Sequence, residues 1–188
     1  MFLNGPVTGM LETEVGSFAS AKGVVPVREP GTVREVRDED REQILSIFNH
    51  YAINGFAAYA EKPVREKYIL DLLRNASAFY VVDSPEGVIG FGFCKPFLPF
   101  PAFAKTGELT YFIMPEYLNQ GFGSQLLYRL IREARKKGIT MLVAHMASWN
   151  EEGIRFHKKH GFYVAGRLKG IGTKFDEPFD VVLMQKAI

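Results

Sequence analysis

One cysteine, Cys94, is all that the 188-residue chain carries. No disulfide can form within it, and a reducing, cytoplasmic compartment is expected. The N-terminus lacks the basic region and continuous apolar stretch of a secretory signal. No apolar run approaches the roughly 18 residues that a membrane helix needs, so no membrane partner is expected. Excess charge is missing too. Lys and Arg number 23 against 21 Asp and Glu, a formal net charge of +2, which supplies neither a basic field for nucleic acid nor an acidic tail. A Gly-x-x-x-x-Gly-Lys-Ser/Thr loop is absent: the nearest string, Gly170-Ile171-Gly172-Thr173-Lys174, has the wrong spacing. Gly121-Phe122-Gly123 is not followed by the third glycine of a dinucleotide fingerprint. Mononucleotide hydrolysis and hydride transfer therefore lose support. His157 and His160 stand three apart, but His145 and Cys94 are remote in sequence, so no metal is expected.

What is present suits one domain, with 47% hydrophobic residues to build a core. Residues 1–32 are rich in Gly and Pro, have no helical or strand period, and read as an N-terminal extension to a domain over 33–188. Asp38 and Asp40 stand where capping acids belong, ahead of Ile44, Leu45, Ile47, Phe48 and Tyr51 at helical spacing. Pro63 is placed to open a second helix with Tyr68, Ile69, Leu72 and Leu73 as its buried stripe. Phe79–Val82 and Val88–Phe93 flank a Ser84-Pro85-Glu86-Gly87 turn and predict a hairpin. Lys95 to Lys105, with its prolines, reads as an aromatic loop. A strand follows over Glu108 to Met114, then an amphipathic helix over Leu126 to Lys137 that ends at Gly138. Thr140–Met146 is a further strand, Asn150 starts a helix that Gly161 stops, and Val164–Leu168 and Phe179–Met184 complete the sheet. The order predicts an α/β (α+β) fold: a mixed, largely antiparallel central sheet flanked by helices, with one crossover at the glycine turn.

That turn, Asn119-Gln120-Gly121-Phe122-Gly123-Ser124, leaves a strand and opens a helix. Such a turn presents unpaired backbone N–H groups, reinforced by the positive end of the helix dipole, and suits a phosphate. Alone it is equally a tight turn whose glycines serve sterics.

Its surroundings are more specific. Glu108-Leu109-Thr110-Tyr111-Phe112-Ile113 with Pro115, then Gln120-Gly121-Phe122-Gly123-Ser124, Asn150, and Arg155-Phe156-His157-Lys158-Lys159-His160-Gly161-Phe162 follow one another in order. Gly172-Thr173-Lys174-Phe175, Asp180 and Leu183-Met184-Gln185 extend the series. From Val33 onward the chain resembles the GNAT superfamily of N-acetyltransferases, and within it the phosphinothricin-type acetyltransferases. The resemblance implies acetyl-CoA as acetyl donor. It implies that backbone groups of Phe112, Ile113 and Met114 pair with the pantetheine amides, that amides of Asn119, Gln120, Gly121, Phe122, Gly123 and Ser124 hold the pyrophosphate, and that Asn150 contacts CoA. The first loop position, Arg or Gln in the superfamily, is Leu118 here, so phosphate binding rests on backbone donors with Gln120 as a substitute contact.

An alkyl ammonium with a pKa near 10.4 must lose a proton before it attacks a thioester. By resemblance Glu108 is the carboxylate that takes it; without that context it reads as a solvated strand-edge Glu. His157 occupies the position where many relatives carry a proton-donating Tyr, and it reads equally as a satisfied core histidine facing inward with Ile154. Asn150 also reads as a helix N-cap. Tyr59, Phe103, Thr110 and Lys174 are the expected acceptor-binding residues, and a homodimer with the site near its interface is implied. The loop Phe97–Thr106 has no arginine to grip a carboxylate, which directs expectation to a small, less polar amine. Acetylation of a peptide or protein, and acyl-CoA binding without catalysis, are the alternatives.

Overall fold

The computed structural model describes residues 31–188. The expected extension therefore lies outside the described residues, except for Gly31 and Thr32. A seven-stranded sheet runs through the domain: β1 Thr32–Glu35, β2 Ala78–Ser84, β3 Gly87–Pro96, β4 Thr106–Ile113, β5 Met141–Ala147, β6 Tyr163–Lys174 and β7 Glu177–Ala187, in the order β1-β2-β3-β4-β5-β7-β6. Four helices accompany it: α1 Arg41–Ile53, α2 Glu66–Asn75, α3 Phe122–Lys136 and α4 Glu151–Lys159. Every neighbouring pair is antiparallel except β4 and β5, which α3 joins as a parallel crossover. The predicted architecture is the one observed.

Alternation along the strands divides the core into two layers. On one face, Tyr80, Val82, Leu109, Ile113, Leu142, Ala144, Met146 and Met184 pack with Leu126, Leu127, Leu130 and Ala134 of α3. On the other, Phe79, Val81, Phe91, Phe93 and Phe112 pack with Ile44, Ile47 and Phe48 of α1 and Ile69 of α2. This second layer stops short of β5. Met141, Val143, Leu183 and Gln185, on that side, remain half-buried.

Several local expectations shift. The four-residue β1 has the sequence Thr-Val-Arg-Glu, too short for its period to register. It is fixed from outside: the Arg34 guanidinium forks onto Asp40 at 2.7 and 2.8 Å and reaches Asp83 of β2 at 2.7 Å. Asp40 accordingly spends its carboxylate on Arg34 and on the Arg37 N–H (2.7 Å), and caps no amide of α1. Helix α2 opens at Glu66 rather than Pro63. The Asn49 side-chain amide holds both backbone groups of Val64, at 2.7 and 3.2 Å, and keeps that segment extended. Of the expected α2 stripe, Tyr68 is 41% exposed; its ring lies 4.8 Å from that of Phe48 at the rim. Lys95 and Pro96 belong to β3, not to the aromatic loop. Met114 N–H bonds to Ile89 O and Phe97 N–H to Thr106 O, so the alternation of the antiparallel ladder leaves Pro96 where no donor is needed. The loop beyond it carries a short turn of 3-10 helix at Pro101–Phe103. Strand β4 starts at Thr106 and α3 at Phe122, both earlier than the apolar pattern alone suggests.

Candidate active site

The parallel ladder between β4 and β5 is three residues long: Thr106↔Met141, Gly107↔Leu142 and Glu108↔Val143. Beyond Glu108 the strands part, β5 keeping only β7 as its partner. Along β4, the amide of Met114 serves Ile89 of β3 and its carbonyl accepts from Tyr117. Alternation turns Phe112 and Thr110 toward β3 in the same way, and directs the backbone groups of Tyr111 and Ile113 into the opening. Of the three strand residues expected to pair with pantetheine, Ile113 therefore presents its backbone to the cleft, while Phe112 and Met114 do not. The Ile113 carbonyl already accepts the Tyr51 hydroxyl of α1.

At the far end of β4 stands the glycine turn. Asn119 (φ 61°) and Gly121 (φ 89°) are both left-handed, a conformation that glycine adopts without a Cβ penalty. Gln125 is the first amide to bond back into α3, to Gly121 O at 3.1 Å, and no side chain caps the helix. The amides of Phe122, Gly123 and Ser124 are left open at the positive end of the helix. A Cβ on Gly121 would meet nothing within 4 Å, whereas one on Gly123 would come 3.2 Å from the Phe156 ring of α4. The uncapped amides fit an anionic diphosphate approached from the open side, while Gly123 itself is required by the packing of α3 on Phe156. Gln120 turns its side-chain amide onto Glu116 O (3.0 Å), away from a substitute phosphate contact, and the Ser124 hydroxyl lies 2.8 Å from His160 Nε2. Asn150 is the N-cap of α4, its Oδ1 accepting from Gly153 N–H at 3.0 Å. It also lines a cleft of about 310 Å³ with Tyr51, Phe56 and Trp149.

Glu108 marks where the ladder ends. It is only 7% exposed, with Oε1 3.0 Å from Lys95 Nζ and 3.1 Å from His145 Nε2. Burial raises its pKa, but the hydrogen bonds and charge of His145 and Lys95 outweigh that and hold the carboxyl below the ordinary range. The His145 ring is in turn 3.1 Å from the Tyr59 hydroxyl through Nδ1 and stacks on the Tyr59 ring at 5.6 Å. Neither Lys95 nor His145 was legible as a site residue. The pairing of Lys95 with Glu108 exists only once β3 extends to Pro96, and the one local sign of His145 is a polar side chain in the apolar strand Met-Leu-Val-Ala-His-Met-Ala.

His157 belongs to the other face. Its Nδ1 lies 2.7 Å from Gly153 O, which can only accept, so Nδ1 carries the proton and Nε2 accepts the Tyr111 hydroxyl at 2.6 Å. Burial pushes its pKa down to about 4, the Gly153 bond opposing and the neighbouring His160 adding to the shift. The ring is thus neutral at physiological pH, with both nitrogens engaged. Glu108 and His157 do not share a face; β4 lies between them.

The residues expected to bind the acceptor divide as well. Tyr59 (42% exposed) and half-buried Thr110 lie on the Glu108 side. Phe103 packs edge-on to Phe97 at 5.8 Å. Lys174 does not reach the site. It is 1% exposed, its Nζ donating to Ala58 O at 2.7 Å and facing Tyr51 O at 3.4 Å. Burial lowers its pKa, with Glu61 opposing. A lysine consumed by two carbonyls beneath the α1–α2 segment is a structural tie, not an anion-binding group. Among the described residues no group of three or more His, Cys, Asp or Glu could hold a metal, and no helix is long and apolar enough to cross a membrane.

The model of the acetyltransferase (GNAT) family matches residues 42–162. The chain belongs to that family. It is 33% identical over 175 residues to a phosphinothricin N-acetyltransferase of Alcaligenes faecalis, covering 88% of this chain and 87% of that one. It is 30% identical over 159 residues to an L-methionine sulfoximine/L-methionine sulfone acetyltransferase of Pseudomonas aeruginosa, covering 82% and 92%. A Salmonella typhimurium structure solved with its cofactor acetyl-CoA superposes with a TM-score of 0.76 at 28% identity, covering 85% of this chain and 94% of that one.

Two outcomes are expected of this geometry. Gly123→Val drives a branched side chain into Phe156, which displaces the first turn of α3 and its open amides, and should raise the CoA dissociation constant, read by calorimetry, by at least about tenfold. The unfolded chain protonates His157 near pH 6.5, while the folded ring resists until about 4. Stability is therefore complete above that window and is lost as pH falls through it, by roughly 3 kcal/mol from this group. Urea unfolding between pH 7 and 4 should show the decline, and His157→Gln should flatten it.

Proposed function

We propose that this chain, a GNAT N-acetyltransferase with acetyl-CoA as donor, transfers the acetyl group to the primary amine of a small molecule by direct attack. The observation that carries this reading is the open edge of β4. It is flanked by the uncapped start of α3 at one end and by the Glu108–His145 pair at the other. Backbone groups of Tyr111 and Ile113 pair with pantetheine, Phe122 to Ser124 hold the pyrophosphate, and acetyl-CoA supplies an activated thioester to the opening. Glu108 anchors the deprotonating site. Tyr59 and Thr110 line the acceptor side, and Phe103 contributes from the aromatic loop. His157, neutral and fully bonded, anchors α4 to β4 through Tyr111 instead of donating a proton. The thiolate, whose basicity resembles that of free cysteine at about 8.5, takes its proton from water. Lys95 pairs with Glu108 and Lys174 is buried, so the acceptor is a small amine held chiefly by aromatic walls. The named relatives act on amino-acid-like amines, and these head the panel to be screened.

The enzyme is cytoplasmic in this reading, consistent with its free, buried Cys94. It is also a homodimer. A cavity of about 280 Å³ among Phe97, Phe103, Met141, Val143 and Leu183 lies on the uncovered part of the sheet, next to Glu108, and a second copy would cover it.

Acetyl-CoA-dependent thiol release over the amine panel should reveal at least one substrate. Glu108→Gln should then lower kcat/KM by on the order of 100-fold or more while CoA affinity holds. Tight CoA binding by the wild type without turnover of any amine would instead favour a binding module. Light scattering at micromolar concentration should give twice the chain mass, and Leu183→Glu should give the monomer; a monomeric wild type would refute the dimer.

A further inference from the structure

The carboxylate at the splay is badly placed to act alone. Glu108 is almost fully enclosed, and its Oε1 is shared between Lys95 and His145. The group that reaches outward from this cluster is His145, whose side chain is 33% exposed against 9% for Glu108. An ionised carboxylate only accepts, so His145 Nε2 carries the ring proton and donates to Glu108. Nδ1 is left with the lone pair, and the Tyr59 hydroxyl donates to it at 3.1 Å. Burial, reinforced by the charge of Glu108, pushes that hydroxyl up to about 12 and keeps it a donor. Stacking of Tyr59 on His145 at an interplanar angle of 3° fixes the ring plane. A buried acid, an imidazole of fixed tautomer and an outward lone pair form one line from β4 to the cleft.

We infer that the proton acceptor of the transfer is His145 Nδ1, with Glu108 positioning the ring and balancing the imidazolium. This rests on the acetyltransferase reading above. The ammonium takes the place of the Tyr59 hydroxyl and gives its proton to Nδ1. The freed nitrogen lone pair forms the amide bond to the acetyl carbon, the carbon–sulfur bond breaks, and its electrons leave on the CoA thiolate. The nitrogen sheds its remaining extra proton to water, and imidazolium returns the first through the Tyr59 hydroxyl to solvent. The imidazole suits the task because its Nδ1 lone pair faces the cleft side, whereas the Glu108 carboxylate is already engaged by Lys95 and by the ring itself. The titratable groups facing His145 are Glu108 of β4, Lys95 of β3 behind it and Tyr59 of the α1–α2 segment; Tyr68 of α2 senses the same Glu108 charge. From β7 the neighbours are apolar, Leu183 across the ladder and Phe179 stacked on Tyr59.

The test uses the full chain and an amine that the wild type acetylates. His145→Gln should lower kcat/KM by about 100-fold, leave the CoA dissociation constant within twofold, and change the pH profile of kcat/KM. His145→Gly should regain activity on addition of imidazole. Without acetyl-CoA, ring nitrogen NMR should show the Nε2-protonated form of His145, and Glu108→Gln should lower its titration midpoint by about one pH unit. A wild-type pH profile in His145→Gln, or a midpoint indifferent to Glu108→Gln, would overturn the inference and leave Glu108 as the base. A wild type that turns over no amine would instead overturn the acetyltransferase reading, and this inference with it.

Discussion

Everything functional in this fold depends on a ladder that stops. Three residue pairs join β4 to β5, and the fourth does not form. A sheet interior normally satisfies all of its backbone groups, yet here the backbone groups of Tyr111 and the amide of Ile113 face a gap, the Ile113 carbonyl alone being taken up by the Tyr51 hydroxyl. The gap persists because each strand is committed elsewhere. β4 is held along its length by β3, β5 along its length by β7; one apolar layer, with α3, runs beneath both strands, and the other covers β4 but not β5. The cost of unpaired backbone is offset where a ligand with amides of its own can complete the strand.

The same parting arranges the chemistry. Side chains that regular pairing would leave inert on a sheet face converge at its end: Lys95, Glu108 and His145 come from three adjacent strands. Charge is balanced inside this cluster, which lets a carboxylate lie buried without an unpaired penalty. On the opposite face the Tyr111–His157 bond joins α4 to β4. Both ring nitrogens of that histidine are thereby engaged, Nε2 by Tyr111 and Nδ1 by Gly153.

Much of this was legible in the residues. The Gly121-Phe122-Gly123 turn and the apolar stripe from Leu126 to Ala134 announced the crossover and its helix, and Asn150 announced the start of α4, because local propensity and period agree there. Glu108 stood out through its neighbours in sequence. Four features stayed hidden because their causes are long-range. β1 exists through the Arg34–Asp40 and Arg34–Asp83 contacts. The late start of α2 reflects Asn49, fifteen residues away from Val64. His145 acquires meaning only when β5 is set beside β4. Lys174 looked like an exposed cation because lysine ordinarily is one; its burial follows from two carbonyls of a segment more than a hundred residues earlier.

That buried lysine bears on how such an enzyme changes its diet. Tyr59 rides on a segment with little secondary structure of its own, yet Lys174 grips Ala58 beside it, and Glu61 accepts the Phe175 N–H at 2.7 Å. The segment that carries Tyr59, the acceptor wall in the proposed reading, is thus riveted to the β6–β7 hairpin, at the opposite end of the chain. New acceptor range is more accessible through side-chain exchange on a fixed frame than through remodelling of the loop backbone. Libraries that diversify Tyr59, Thr110 and Phe103 while sparing Lys174 and Glu61 would explore chemistry without loosening the frame.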